Sequence, residues 1–148
     1  MLRIVEADLL LALGDNDPNN VSYLDRETGD VILVQGDLFS PGDEEYVDEE
    51  ALAADPRYVP VEPISSDEAY RWMEHFASLV AAPDVRDRLV RALNRPRPFR
   101  GFKDALLDFP IERQQWFDFE EERQREAATE WLQMNGIAAE LISGRELP

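Results

Sequence analysis

Basic side chains are concentrated in one stretch of this otherwise acidic chain. Residues 86–103 contain seven of the chain's 15 arginine and lysine residues and a single acidic residue. On an ideal helix, three arginines of this stretch lie within about 60° of one another, and two more basic residues continue the pattern on the next predicted helix. An arginine presents a planar fork of donors that suits phosphate and carboxylate groups. We name these five candidate binding residues the basic ridge: Arg88, Arg91, Arg95, Arg100 and Lys103.

Three interpretations of the basic ridge stay open at this point. The first is internal neutralisation by the acidic segment of residues 43–50, the second is an acidic protein partner, and the third is nucleic acid. The net charge of −17 argues against attraction of the whole surface to nucleic acid or to an anionic membrane. Residues 1–57 alone contain 15 acidic and 3 basic residues, which predicts an acidic surface. We expect internal neutralisation first, a protein partner of unknown identity second, and nucleic acid last.

A second candidate site is the pair Glu120 and Arg123, which interrupts the apolar stripe of the last predicted helix. At a spacing of three residues the two side chains can pair on one helix face. An ion pair on the core face needs well-made hydrogen bonds to offset its desolvation. Either the two form a polar interior pair in a pocket shared with Lys103 and Asp104, or the helix extends past the core and leaves residues 120–126 in water.

The common catalytic and metal-binding patterns are missing from the sequence. The chain has no cysteine, which excludes disulfides and thiol catalysis, and His75 alone cannot supply a two-histidine metal motif. Asp15 and Asp17 resemble the start of a calcium loop, but the required glycine and terminal glutamate are absent. No glycine-rich phosphate loop or nucleophile elbow occurs. We therefore predict no catalytic residues, no metal and no cofactor.

These observations favour a non-catalytic interaction or regulatory module that uses an acidic surface and the basic ridge. The alternatives are a metal-assisted hydrolase built from Lys103, Asp104, Glu120 and Arg123, and nucleic-acid binding through the basic ridge. No apolar run is long enough to span a bilayer, and charges interrupt the apolar N-terminal segment. We expect a cytoplasmic protein whose oligomeric state the sequence does not give.

The elements that must position these residues fall into two parts. Residues 21–24 and 31–34 are β-rich runs joined by a turn in which Gly29 can take a positive φ, so they predict a hairpin. Residues 57–63 contain two prolines and predict an extended segment at a sheet edge. Residues 4–13 are ambiguous and read most simply as a short helix ending at Gly14. Residues 137–142 predict a last strand that joins the hairpin.

The second part is helical. Ser65 and Glu68 have the spacing of a capping box, and Pro83 and Pro110 suit first helical turns. Gly136 predicts the end of the last helix. The layout is α+β, with a small N-terminal antiparallel hairpin sheet followed by a mainly helical body. We expect a single domain over residues 1–148, with an acidic hairpin and extended part at 1–63 and a helical part at 64–148.

Several short motifs resemble, in order and over nearly the whole chain, the bacterial family UPF0158, an uncharacterised protein family. They are YLD at 23–25, TG at 28–29, RYVP at 57–60, EPIS at 62–65, FRGFKD at 99–104, and the aromatic residues Trp116 and Phe119. The resemblance implies no established activity, cofactor or catalytic residue, so none is transferred. Gly101 stands where the family pattern has a second basic residue (FRRFKD), which weakens any essential role for charge at that position.

Overall fold

The computed structural model describes residues 1–35 and 48–143. These residues form the following elements in chain order: β1 (Leu2–Val5), α1 (Glu6–Gly14), β2 (Asn20–Asp25), β3 (Val31–Gln35), α2 (Glu49–Ala54), β4 (Tyr58–Val61), α3 (Ser66–Leu79), α4 (Pro83–Leu93), α5 (Pro98–Leu106), α6 (Pro110–Met134) and β5 (Ala139–Ile142). The fold class is α+β, as predicted. The chain divides into two compact units: unit 1 is Met1–Ile64 with Glu126–Pro148, and unit 2 is Ser65–Arg125. None of the helices in the described ranges is long and apolar enough to cross a membrane.

Unit 1 contains the predicted hairpin. Strands β2 and β3 pair antiparallel, and β4 pairs antiparallel with the other side of β2, which gives the order β3-β2-β4. Strand β4 therefore lies at an edge of this sheet. Pro60 has no backbone N–H, so no donor is left without a partner at this position. Gly29 in the β2–β3 turn has a φ of +84°. A Cβ at Gly29 would lie 2.1 Å from the backbone oxygen of Arg3, so both conformation and space require glycine there.

A second sheet in unit 1 corrects the predicted topology. Residues 137–142 do contain a strand, β5, but it pairs in parallel with β1 and does not join the hairpin. Residues 4–13, which are ambiguous in the sequence, contain the end of strand β1 as well as most of helix α1. The ambiguity arises because the apolar residues of β1 run directly into those of α1, with no turn residue between them to mark the boundary. The choice of strand partner depends on long-range packing, which hydrophobic periodicity does not report.

The core of unit 1 is aliphatic. Ile4 of β1, Leu9 and Leu13 of α1, Leu24 of β2 and Val61 of β4 are buried together. Ala128 and Leu132 on the C-terminal part of α6 complete this cluster. Helix α6 ends as predicted near Gly136, whose φ is +65°, and the N–H of Ile137 donates to the oxygen of Leu132 at 2.9 Å. That bond closes the helix end in the manner of a Schellman motif.

One buried ion pair ties β4 to the hairpin turn. Asp25, which is only 4% exposed, accepts bonds from Arg57 Nε at 2.8 Å and Arg57 Nη2 at 2.7 Å. The same carboxylate accepts the backbone N–H groups of Glu27 at 2.9 Å and Thr28 at 3.3 Å. The Arg57 guanidinium holds the pKa of Asp25 well below its usual range. A buried carboxylate with four donors is fully satisfied, so this pair fixes the turn.

Unit 2 packs α3, α4, α5 and the first part of α6 around an aromatic core. Phe76, Phe102 and Trp116 meet at ring-centroid distances of 5.0–6.4 Å, all edge to face. The Ser65 hydroxyl caps α3 by accepting the N–H of Glu68 at 3.2 Å. Pro83, Pro98 and Pro110 each begin a helix. Near the end of α3, Ala77 is buried whereas Leu79 is 62% exposed.

Candidate functional site

Helix α4 positions the first part of the basic ridge. Its buried residues Val85, Leu89 and Leu93 lie in a stripe with helical spacing that faces the core of unit 2. Arg88 lies one residue before Leu89, Arg91 lies two residues from both Leu89 and Leu93, and both arginines are exposed. The helix ends at Leu93, so Arg95 follows in the short segment before α5. The burial of the aliphatic stripe is therefore what directs these arginines to the surface.

These three arginines lie together on one cleft of about 280 Å³. Arg88, Arg91 and Arg95 line it from the side of α4, while Gly101, Asp104 and Ala105 line it from α5. Between the arginines, its lining residues are the small Ala92, Gly101 and Ala105. We call this feature the arginine-lined cleft. It brings three of the five predicted binding residues of the basic ridge into one concave surface.

The three arginines of the cleft are held differently. Arg88 Nη2 bonds to Asp108 Oδ2 at 3.0 Å, and its guanidinium lies 5.2 Å from the ring centroid of Phe109. The side chains of Arg91 and Arg95 make no ion pair or hydrogen bond to any residue in the described ranges. Arg88 is thus a fixed wall of the cleft, whereas the donors of Arg91 and Arg95 face solvent.

The other two residues of the basic ridge, Arg100 and Lys103, are not among the residues that line this cleft. Arg100 Nε lies 3.8 Å from Asp104 Oδ2, one helical turn further along α5. Lys103 instead lines a separate cleft of about 240 Å³ with Glu120, Arg113 and the aromatic residue Phe117. The five predicted binding residues therefore divide into three that converge, one that pairs with a cleft carboxylate, and one that lies at a different cleft.

Glu120 is half-buried in this second cleft, next to the buried Trp116. Burial raises the pKa of the Glu120 carboxyl above its ordinary value, and the positive charge of Lys103 partly opposes the shift. Lys103, Asp104 and Glu120 do line one cleft, as the interpretation of a shared polar pocket predicted.

Arg123 lines a different cleft, of about 680 Å³, with residues of α3 that include Arg71 and His75. Its Nη2 lies 3.2 Å from His75 Nδ1, and its guanidinium lies 4.9 Å from the ring centroid of Phe119. Arg123, like Glu120, is half-buried. The candidate polar interior pair therefore consists of two half-buried residues that line separate clefts.

The acidic charge is concentrated in unit 1. By sequence, unit 2 carries 12 acidic and 11 basic residues, whereas unit 1 carries 20 acidic and 4 basic residues. In the loop that contains Asp15 and Asp17, whose start resembles a calcium loop, the two carboxylates accept hydrogen bonds from backbone N–H groups at 3.0 Å and 2.9 Å. Residues 1–35 and 48–143 contain no group of three or more His, Cys, Asp or Glu side chains placed to hold a metal ion. The acidic segment of residues 43–50, expected to neutralise the basic ridge, lies largely outside the described residues.

Fold and cleft together define an acidic α+β protein with a local cationic site, and the comparisons with known proteins then give its family. A family model described as "Uncharacterised protein family (UPF0158)" matches residues 2–147, so the chain belongs to the UPF0158 family. A relative from Pseudomonas aeruginosa, UPF0158 protein PA5073, is 30% identical over 127 residues, which cover 86% of this chain and 80% of the relative. The resemblance stated from the sequence motifs is confirmed. No solved structure matches the chain.

The small residues that line the arginine-lined cleft were not predicted from the sequence. Ala92 and Ala105 read as ordinary helix residues, since nothing in the spacing shows that α4 and α5 pack with these positions facing each other. Gly101 was noticed only as a departure from the family's charge pattern. A glycine in the interior of a predicted helix is the one signal that could have drawn attention to this site.

Proposed function

We propose that this protein is a non-catalytic cytoplasmic interaction module that binds an acidic segment of a partner protein at the arginine-lined cleft. The observation that carries the proposal is the convergence of Arg91 and Arg95, unpaired within the described residues, beside the fixed Arg88. Guanidinium groups that lie in a concave surface with open donors are suited to carboxylate or phosphate ligands. Binding a partner protein through these arginines needs no catalytic residue.

The extent of the cleft favours a protein segment over nucleic acid. Nucleic-acid binding depends on many phosphate contacts along an extended basic surface. The arginine-lined cleft is short, and the chain around it carries a net charge of −17, which repels a long polyanion. A few acidic side chains of a protein segment can enter the cleft without the repulsion that the long charged backbone of a nucleic acid would meet. Binding to a short acidic segment therefore agrees better with the charge distribution.

The same geometry favours binding over metal-assisted hydrolysis. The four residues suggested for a hydrolase do not line one cleft, because Arg123 lies with His75 while Lys103, Asp104 and Glu120 line the second cleft. A catalytic group of this kind must hold its members within reach of one reacting atom. Binding requires only the donors that the arginine-lined cleft already presents.

The proposal is tested by fluorescence anisotropy with a labelled peptide rich in aspartate and glutamate, at low and moderate salt. The double variant Arg91→Ala/Arg95→Ala should weaken binding about tenfold or more, because each charge-assisted hydrogen bond contributes about 1.5–3 kcal/mol. Arg71→Ala/Arg113→Ala is the matched control, since it removes the same charge from exposed positions outside the cleft. Equal losses in the two double variants would show non-specific attraction and contradict the proposal. Tighter binding of a labelled duplex of similar charge would favour the nucleic-acid alternative.

A further inference from the structure

We infer that the arginine-lined cleft is a phosphate-binding site. It binds the phosphoryl group of a phosphorylated serine or threonine within the acidic segment of the partner protein. This inference rests on the proposed function and names the chemistry of the ligand. It follows from three features of the cleft: the number of open guanidinium forks, the fixed wall that Arg88 provides, and the space left above Gly101.

The first feature is the pair of open forks. Arg91 and Arg95 are four residues apart and line the same cleft, and neither has an ion-pair partner in the part of the chain that the structure describes. A carboxylate carries only one negative charge, on two oxygens. A phosphate monoester offers three oxygens and nearly two negative charges, so it can accept bonds from both forks at once. Two convergent forks therefore match a phosphoryl group better than an aspartate or glutamate.

The second feature is the fixed third arginine. Asp108 bonds to Arg88 at 3.0 Å, and the ring of Phe109 lies beside its guanidinium. The charge of Arg88 is therefore held at the cleft before any ligand arrives. A preorganised side chain loses less conformational entropy on binding than a free one. Arg88, whose charge Asp108 partly offsets, therefore lies beside the other two arginines of the cleft without having to be ordered by the ligand.

The third feature is the absence of a side chain at Gly101. A Cβ at this position would lie 3.5 Å from the oxygen of Ala92 and 3.6 Å from its Cβ, which is ordinary contact. Helix packing thus does not itself demand glycine here. A longer side chain at position 101, however, would extend into the space that Arg91 and Arg95 line. The cleft that Gly101 helps to line has a volume of about 280 Å³, which has room for a phosphoryl group together with the stem of the side chain that carries it.

The carboxylate in the cleft indicates that the ligand is a peptide and not a free phosphate ion. Asp104 lines the cleft and would repel an isolated anion, although Arg100 at 3.8 Å offsets part of its charge. A peptide carries backbone N–H donors next to its phosphorylated side chain, and such a donor can bond to Asp104. The cleft therefore offers an acceptor for the backbone as well as donors for the phosphoryl group.

The experiment compares three labelled acidic peptides that differ only at the central residue, which is serine, phosphoserine or glutamate. We expect the phosphoserine peptide to bind about tenfold more tightly than either of the others, since a phosphoryl group offers three acceptor oxygens and nearly two negative charges. Arg91→Lys/Arg95→Lys, which keeps the charge but removes the forks, should reduce this preference to less than about threefold. Arg71→Lys/Arg113→Lys is the matched control and should retain the preference. Gly101→Arg should also abolish the preference by filling the cleft.

The outcomes separate this inference from the proposed function. If all three peptides bind equally well and Arg91→Ala/Arg95→Ala still weakens them, the protein binds acidic segments but does not read phosphate, and this inference is wrong. If none of the peptides binds, both proposals are wrong. If inorganic phosphate displaces the phosphoserine peptide at concentrations near the peptide's own dissociation constant, the cleft recognises the anion alone, and the peptide part of the inference is overturned. Should Gly101→Arg fail to fold by circular dichroism, the lysine variants decide.

Discussion

Replacing Asp25 with alanine removes a buried carboxylate that accepts four hydrogen bonds at the hairpin turn. Two come from Arg57, at 2.8 and 2.7 Å, and two come from the backbone N–H groups of Glu27 and Thr28. Each bond to a charged group contributes about 1.5–3 kcal/mol, and breaking a buried pair costs about 3–5 kcal/mol. The side chain of Arg57 is 35% exposed and can be rehydrated. We therefore expect Asp25→Ala to lower the free energy of unfolding by about 3 kcal/mol.

For a chain of this length, that loss corresponds to a drop in the melting temperature of roughly 6–12 °C. Urea unfolding followed by circular dichroism measures it directly. The lowered pKa of Asp25 gives the pH dependence. Its stabilisation is fully present above the ordinary carboxyl pKa of about 3.9 and is lost as the pH falls through the lower pKa of the folded state. The gap between wild type and Asp25→Ala should thus be the same at pH 7 and pH 5 and should shrink in more acidic buffer.

Asp30→Ala is the matched control, because this turn residue is exposed and its side chain makes no ion pair with the described residues. It should change the free energy of unfolding by less than about 0.5 kcal/mol. A double-mutant cycle with Arg57→Ala should show that the losses at the two positions are not additive. A loss below about 1 kcal/mol for Asp25→Ala, or fully additive effects, would refute the view that this pair fixes the turn.

Three further substitutions test the local structure by thermal unfolding. Gly29→Ala should cost about 2 kcal/mol or more, because the residue must keep a positive φ and its Cβ would meet the backbone of Arg3; no change in stability would contradict this contact. Ser65→Ala should cost about 1 kcal/mol through loss of the N-cap bond to Glu68, and Ser65→Asp should restore the stability. Glu120→Gln should raise the melting temperature at pH 7, since the raised pKa means that burial penalises the charged carboxylate there. The gain should disappear at pH values below 4.5, the ordinary pKa of a glutamate carboxyl, where the group is protonated in both states; a constant gain across this range would refute the burial argument.

The local signals in the sequence predicted individual elements well. The β-rich runs and Gly29 predicted the hairpin, Ser65 predicted the start of α3, and Pro110 and Gly136 predicted the two ends of α6. Each of these signals acts through the backbone within a few residues, so no distant contact has to be known. The same reasoning predicted that β4 lies at a sheet edge, because a proline cannot donate to a second neighbour.

The pairing of β1 with β5 could not be predicted in this way. Its two strands are separated by more than 130 residues, and a four-residue strand has too little periodicity to be told from the start of a helix. The burial of Ile4 and Ile142 comes from packing between segments that lie at opposite ends of the chain. Parallel pairing of this kind is set by the three-dimensional core and by no local turn.

The candidate site was predicted in part for a related reason. Helical spacing predicted that Arg88, Arg91 and Arg95 lie side by side; all three line one cleft, although Arg95 lies beyond the end of α4. Spacing could not show that Lys103 and Glu120 would line a different cleft together. The position of Lys103 depends on the orientation of α5 about its own axis, which the burial of Phe102 in the aromatic core determines. A helical wheel gives the angles within one helix, whereas the surface a residue joins is decided by the helix packed against it.

Gly101 shows how the two kinds of information combine. In the sequence it stands as a lost positive charge, and by itself that loss would weaken a basic surface. In the structure its missing side chain opens the space between α4 and α5 that Arg91 and Arg95 line. A second arginine at position 101 would add charge but would occupy the volume that a ligand needs, so it would make a flatter basic surface. We therefore expect Gly101→Arg to strengthen weak, salt-sensitive attraction to acidic peptides while it removes any preference for phosphoserine. Gly101→Ala, whose Cβ makes only ordinary contacts, should leave both properties unchanged, and an undiminished preference for phosphoserine in Gly101→Arg would show that the space above this residue is not what matters.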